Sequence, residues 1–442
     1  MATTITQKLA NKPIEQLRDK AWARWTALAL LALAMFCSYI FMDILSPIKN
    51  LMQSEAGWDS TAFGTMQGSE TFLNVFIFFL IFAGIILDKM GVRFTALLSG
   101  AVMVVGGLIN WYALTDSFAN SSLQVWFTNN LNYIPGFDEL GVSPFYEGMP
   151  ASAKFAAIGF MIFGCGVEMA GITVSRGIVK WFKGREMAMA MGSEMALARL
   201  GVGTCMIFSP LVANFGGDIS VSRSVAFGVV LLMIALIMFI VYFFMDRKLD
   251  AQTGEAEEKD DPFKISDLGK ILSSLGFWLV ALLCVLYYSA IFPFQKYAVN
   301  MLQCNISLTP PDPTSFWSSD ACTYIQYVIM LVAAAGAFGF AFVKNKSVKV
   351  PSLVVAIIAL VAYCYMGYMR QSAAAIFAVF PLLAVGITPV LGSYVDHKGK
   401  AASMLVFGAL LLIICHLTFA FILPMFKGND MGGIIEAYVT IL

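Results

Sequence analysis

Two ionisable side chains in otherwise apolar surroundings set the chemistry. Glu168 lies 13 residues before Trp181, and Arg199 lies 14 residues after Arg185. Between them runs a short basic turn, Lys180-Trp181-Phe182-Lys183-Gly184-Arg185-Glu186. If both flanking stretches are helical, a rise of 1.5 Å per residue puts each charge roughly 20 Å from the turn, so an acid and a base share one depth. In the middle of a bilayer a charge costs about 2.5–3.5 kcal/mol even on a lenient insertion scale, and is tolerated where it has a partner or lines a wet cavity. A carboxylate and a guanidinium so placed complement a zwitterion. An extended dipeptide separates its termini by roughly 7 Å, a single amino acid by about half that. Two readings stay open: the pair clamps a small zwitterion, or it closes on itself as a salt bridge that locks two helices together.

The elements that must hold this pair are membrane spans. Of 442 residues 59% are apolar and 13% charged, and long apolar runs in such a chain are transmembrane helices. The formal net charge is zero, which gives no sign to a partner and no reason to expect nucleic acid. Apolar stretches run over about 25–45, 63–87, 94–114, 153–179, 187–214 and 222–244. After the polar stretch 246–270, with its Gly-Glu-Ala-Glu-Glu-Lys-Asp-Asp run, they resume at 271–299, 322–343, 351–369, 373–395 and 401–423. The expected fold is an all-α polytopic membrane protein: an N-terminal segment 1–24, a six-helix bundle 25–245, a linker 246–270 and a second bundle 271–442.

Charge bias orients the set. Lys89 and Arg93, Lys180, Lys183 and Arg185, the linker, Lys344, Lys346 and Lys349, and Lys398 and Lys400 fall in alternate connections. The loops 115–152 and 300–321 contain no Lys or Arg. The positive-inside rule then makes the N-terminus and linker cytoplasmic. No cleaved signal and no acidic dileucine-type sorting signal is legible in 1–20, so the first span doubles as the targeting signal. That points to a multi-pass protein of a bacterial inner membrane, or of a lysosomal membrane if the source is eukaryotic.

The turn Gly84-Ile-Ile-Leu-Asp88-Lys-Met-Gly91-Val-Arg93 joins the second and third spans. Its glycines permit a tight turn, and its acid can accept from helix N-termini or pair with Arg93. A degenerate copy, Gly392-Ser-Tyr-Val-Asp396-His-Lys-Gly399-Lys400, follows a later span. The first copy resembles the G-x-x-x-D-x-x-G-x-R signature of the major facilitator superfamily, and two copies, one per half, report an internal repeat. The resemblance implies two pseudo-symmetric helical bundles and gives Gly84, Asp88, Gly91, Arg93, Gly392, Asp396 and Gly399 a gating role away from substrate.

The hairpin 164–201 is more specific. Gly166-Val167-Glu168, then Trp181-Phe182-Lys183-Gly184-Arg185-Glu186, then Ala198-Arg199-Leu200-Gly201, with Tyr287-Tyr288 and Phe292-Pro293-Phe294 in span 7, resemble the dipeptide-transporter family of major facilitator superfamily domain-containing protein 1. The resemblance covers the first seven spans and resumes at 380–421. It implies a uniporter-like carrier in which Glu168 holds the ligand ammonium and Arg199 its carboxylate.

Other polar residues in the spans carry several readings. Glu194 can pair with Arg176, bind a proton or face cytoplasmic water, and the family's usual amide at this position gives it no inherited role. Tyr39, Tyr287 and Tyr288 are candidate cavity-lining residues or ordinary packing aromatics. Glu70 and Asn74 are spaced as an i, i+4 pair. Asp43 and Lys296 sit near the outer ends of spans 1 and 7, each a candidate mouth residue, with snorkelling the blander reading for Lys296. His416 reads as a satisfied packing histidine. The glycines of span 4 permit close helix approach and free volume beside Glu168. Cys304 and Cys322 bracket a polar loop and form a disulfide if that loop faces an oxidising space, or remain free thiols.

In the resembled family the second turn copy follows the second span of the C-terminal half. Here the stretches 322–343 and 351–369 intervene, so an inserted helix pair, about 322–369, and an incomplete, truncated C-terminal bundle are expected. The alternative is an ordinary numbering with the copy two spans later. No phosphate loop, metal-ligand spacing or nucleophile–base set is present, so neither an enzyme, nor a cofactor, nor ATP-driven pumping is expected. The functional expectation is a carrier of dipeptides or similar zwitterions by alternating access, with lipid and substrate as its partners. The rivals are a proton-coupled symporter of small organic anions and a non-transporting receptor or assembly subunit.

Overall fold

The computed structural model describes residues 16–253, 265–343, 345–398, 401–427 and 430–442. Among them, nine helices are long and apolar enough to cross a membrane. The first half contains α1 (Ala21–Met42), α2 (Lys49–Ala56), α3 (Ser60–Gly68), α4 (Phe72–Phe76), α5 (Phe79–Tyr112), the short α6 (Asp116–Ala119) and α7 (Ser122–Asn129), α8 (Ala151–Trp181), α9 (Met187–Ala213) and α10 (Val221–Thr253). After α11 (Ile265–Leu272) the second half contains α12 (Leu275–Asn305), α13 (Asp320–Phe342), α14 (Lys346–Arg370), α15 (Ala373–Phe377), α16 (Val379–Lys398), α17 (Ala401–Leu417) and α18 (Asp430–Ile441). Below, the end of the spans next to the linker is the linker end, and the opposite end is the far end.

Each half has its own apolar core. Phe41, Phe163, Trp181, Phe239 and Tyr242 are buried in the first; Met330, Tyr363, Phe377 and Ile434 in the second. α9 belongs to both: Ala190, Cys205 and Ala213 face the first core, while Ala196, Val202 and Met206 join the second. Arg199 therefore rides on the helix shared by the two cores.

The second span departs from the single helix expected over 63–87. After α3 the chain makes a 3-10 turn, Ser69–Thr71, then the short α4, and Phe78 takes a left-handed conformation at φ 57°. The cause is close packing. A Cβ on Gly164 of α8 would collide with the Glu70 carbonyl, and Ser69 Oγ lies 3.0 Å from the Ala157 carbonyl of α8. Apolar content continues through the break, so nothing in the hydropathy marks it. Both polar atoms of the Asn74 amide are buried without a hydrogen bond, so the i, i+4 pair with Glu70 is not formed.

Further differences concern the halves' boundaries. α10 runs to Thr253, well into the stretch expected as linker, because Asp246 and Asp250, one turn apart, both bind cations of the first bundle. The pair expected as an insertion contributes Met330, Ala333, Ala334, Ala359 and Tyr363 to the second core. Ser352 and Ala356 of α14 lie against Gly336 of α13, Arg370 Nη1 and Nη2 donate to Gln326 Oε1 and Thr323 Oγ1 at 2.5 and 2.6 Å, and the Tyr363 hydroxyl donates to the Ala375 carbonyl at 3.0 Å. Cys304 and Cys322 are free thiols, against the disulfide expectation: Cys322 is buried in the first turn of α13, whereas Cys304 is exposed near the end of α12.

Candidate functional site

α8 and α9 are joined by the basic turn, and Glu168 on the one and Arg199 on the other both lie within Coulombic range of Tyr39. Both are partly buried. Among the described residues neither forms a hydrogen bond or an ion pair, so the acid and the base are not clasped. Tyr39 of α1 lies within Coulombic range of Arg199, Glu168, Glu194 and Glu70, and packs against both cores. It is the one candidate tyrosine that the structure brings to the charged pair. Tyr287 instead donates to the Leu405 carbonyl of α17, and Tyr288, half exposed, stacks on Phe292 with ring centroids 5.0 Å apart.

Glu194 is 7% exposed and forms no hydrogen bond or ion pair among the described residues. It does not face cytoplasmic water, and the available cation, Arg176, binds Asp88 at 2.5 Å. Beside Glu168, the glycines of α8 serve two ends. Gly164 admits the backbone of Glu70, whereas Gly171, three residues after Glu168, faces open space. The single N–H of a neutral His416 ring can donate to the Leu412 carbonyl at 2.9 Å or to the Ala290 carbonyl at 3.3 Å, in keeping with the packing role expected of it.

At the linker end the turn residues join a charge cluster inside the first bundle. Gly91 takes φ 80°, which a side chain would strain. Asp88 does not pair with Arg93; it takes Arg176 of α8. Arg93 reaches Asp250 at 3.2 Å and Asp246 at 3.9 Å, and Lys180 reaches the same two acids at 2.8 and 2.7 Å. Asp246 is fully buried and also accepts from Trp181 Nε1 at 2.9 Å and the Tyr242 hydroxyl at 3.3 Å. Nothing in the structure gives Gly84 a packing reason. In the second copy, Gly392 and Asp396 lie on α16, and Gly399 lies outside the described residues.

A second charge cluster, which the sequence reading missed, lies toward the far end between the halves. Asp43, fully buried at the end of α1, meets Lys296 of α12 at 2.8 Å and accepts from Gln295 Nε2 at 2.6 Å. Lys296 Nζ also donates to the Met42 carbonyl at 2.7 Å and lies 4.0 Å from Glu70. It is paired inside the protein and does not snorkel. Its position four residues after Phe292, among apolar neighbours, was the available signal; the identity of its partner, more than 250 residues away, was not.

Comparison with known proteins gives the family. Residues 31–374 match the Major Facilitator Superfamily. Over 280 residues the chain is 22% identical to the lysosomal dipeptide transporter MFSD1 of Homo sapiens, covering 61% of this chain and 52% of that protein. It is 23% identical over 270 residues to that of Danio rerio, covering 59% and 50%. The chain thus spans about half the length of the curated relatives it matches. A partially occluded inward-open structure of the xylose transporter XylE from E. coli aligns over 95% of this chain and 96% of that one, at 11% identity and a TM-score of 0.44. Membership of the superfamily marks a transport protein and not an enzyme. With a match extending over more than half its length, this chain belongs to the Major Facilitator Superfamily.

Proposed function

We propose that this protein carries dipeptides, or similar small zwitterionic peptides, across a membrane by alternating access and in a uniporter-like manner. The observation that carries the reading is the unclasped pair: Glu168 and Arg199 face the region of Tyr39 from two helices, with no partner of their own. A buried charge left without a counterion is costly, and a ligand bearing the complementary charges removes that cost at both sites. The family resemblance and the named activity of the relatives add to this. Glu168 holds the ammonium, Arg199 the carboxylate, and Tyr39 lines the cavity. Tyr287 and Tyr288 line the linker-end stretch of α12. Asp88, Gly91 and Arg93 gate through the linker-end cluster, with Gly84, Gly392, Asp396 and Gly399 as the rest of the two turn copies. The N-terminus and linker are cytoplasmic, and α13 and α14 are ordinary members of the second bundle.

Counterflow of a labelled dipeptide in proteoliposomes tests the reading. Hydrogen bonds to charged groups contribute about 1.5–3 kcal/mol, so Glu168→Gln and Arg199→Ala each lower apparent affinity roughly ten- to hundredfold. Equal counterflow by wild type and both variants removes the assignment. Glu194, buried and unpartnered, favours a second reading, proton-coupled transport of organic anions with Glu194 as proton site. Counterflow of mono-acids lacking an amine, lost in Glu194→Gln, would establish it over the first.

A further inference from the structure

The far-end cluster contains two acids and one base, and they are unequally satisfied. Asp43 has Lys296 at 2.8 Å and Gln295 at 2.6 Å. Lys296 spends donors on Asp43 and on the Met42 carbonyl, and its ammonium lies over the Phe160 ring at 5.8 Å. Glu70 is left with a single contact, 4.0 Å from Lys296 Nζ, too long for a hydrogen bond, although it is only 7% exposed. No other hydrogen bond reaches it among the described residues. A buried carboxylate so poorly compensated gains much from a further donor.

Its location says which donor. Glu70 sits against Gly164 of α8, and Glu168 follows Gly164 by four residues, one turn further along the same helix face. Glu70 and Glu168 lie within Coulombic range of each other. An ammonium has three donors and can serve both carboxylates. Resting on the carrier reading above, we propose that Glu70 is a second acceptor for the substrate ammonium, in competition with Lys296. A dipeptide held by Arg199 and Glu168 draws Glu70 away from Lys296 and so loosens the contacts that join the halves at the far end. Those contacts include Asn50 with Gln303 at 2.7 Å, Asn300 with Asn50 at 2.8 Å and the Tyr297 hydroxyl with the Ser60 carbonyl at 2.8 Å.

The test is oxidative cross-linking of Asn50→Cys to Gln303→Cys in the full chain. The cross-link is read as retention of the two halves in one band after cleavage at a protease site inserted between them. A free dipeptide slows cross-linking roughly fivefold, a modest coupling between two sites. The same dipeptide N-acetylated, which lacks the ammonium, leaves the rate unchanged. In Glu70→Gln the response to the free dipeptide is lost. Lys296→Gln cross-links slowly with or without ligand, which tests the same link should Glu70→Gln fail to fold. A full response in Glu70→Gln, or an equal response to the acetylated peptide, overturns the assignment. Dipeptide counterflow on the same preparation separates the two claims. If it occurs without a cross-linking response, Glu70 loses its role and the carrier stands; if it is absent, both fall.

Discussion

The two charge clusters are alike in composition and opposite in what they join. At the linker end, Asp246 and Asp250 bind Arg93 and Lys180, with Trp181 and Tyr242 completing the hydrogen bonds of Asp246. Each of these partners belongs to the first bundle. Toward the far end, Asp43 and Glu70 of the first half share Lys296 of the second. Among the four charged residues the first cluster sets two bases against two acids, and all of them lie on helices of one bundle. The second has a surplus acid and spans the seam that the proposed alternating-access cycle would open. Burial alone does not distinguish them, since Asp246 and Asp43 are both fully buried. What differs is whether the partners move together.

The sharpest way to break this contrast is Asp246→Ala. It leaves Lys180 and Arg93 with Asp250 alone and removes the acceptor of two buried donors, Trp181 and Tyr242, and breaking a buried pair from one side costs up to about 3–5 kcal/mol. The expected result is a large fall in melting temperature, with hydrogen exchange accelerated along α5, α8 and α10 and the second half little changed. Exchange rising equally in both halves would show that the linker-end cluster also carries the seam.

What the sequence made legible follows the range of the interactions. That Glu168 and Arg199 belong to one region followed from counting residues along two helices joined by a short turn, because helical rise is local and regular, and both do lie within Coulombic range of Tyr39. The spans themselves followed from hydropathy. The break at 69–78 was hidden because its cause is a glycine on another helix. The partner of Lys296 was hidden because it is fixed only when two halves dock, and the boundary of α10 because Asp246 reads as linker until Arg93 and Lys180 are seen beside it. The insertion was expected by counting spans against a resembled family, a register argument on which the contact of α13 with α14 has no bearing.

A smaller effect is expected of Asp43→Asn. Lys296 keeps the Met42 carbonyl and can lean on Glu70, so the loss is nearer that of one charged hydrogen bond, about 1.5–3 kcal/mol. Exchange should quicken at the far ends of α1 and α12 and leave the linker-end cluster protected. If instead α5, α8 and α10 loosen as they do in Asp246→Ala, the far-end cluster is part of the first bundle's framework and not a seam.

The smallest stability effect is expected of Asp88→Asn. The Asp88–Arg176 pair is about one-third exposed on both sides, and such pairs contribute about 0–1 kcal/mol. The melting temperature should therefore barely move. Transport need not follow, because a change too small to unfold a bundle is still large enough to shift the ratio of two nearly balanced conformations severalfold. Asp88→Asn in proteoliposomes should alter the maximal rate of counterflow and leave its half-saturating concentration near that of wild type. A change in half-saturation with an unaltered rate would place Asp88 with the substrate residues, and the linker-end cluster would then be more than a brace.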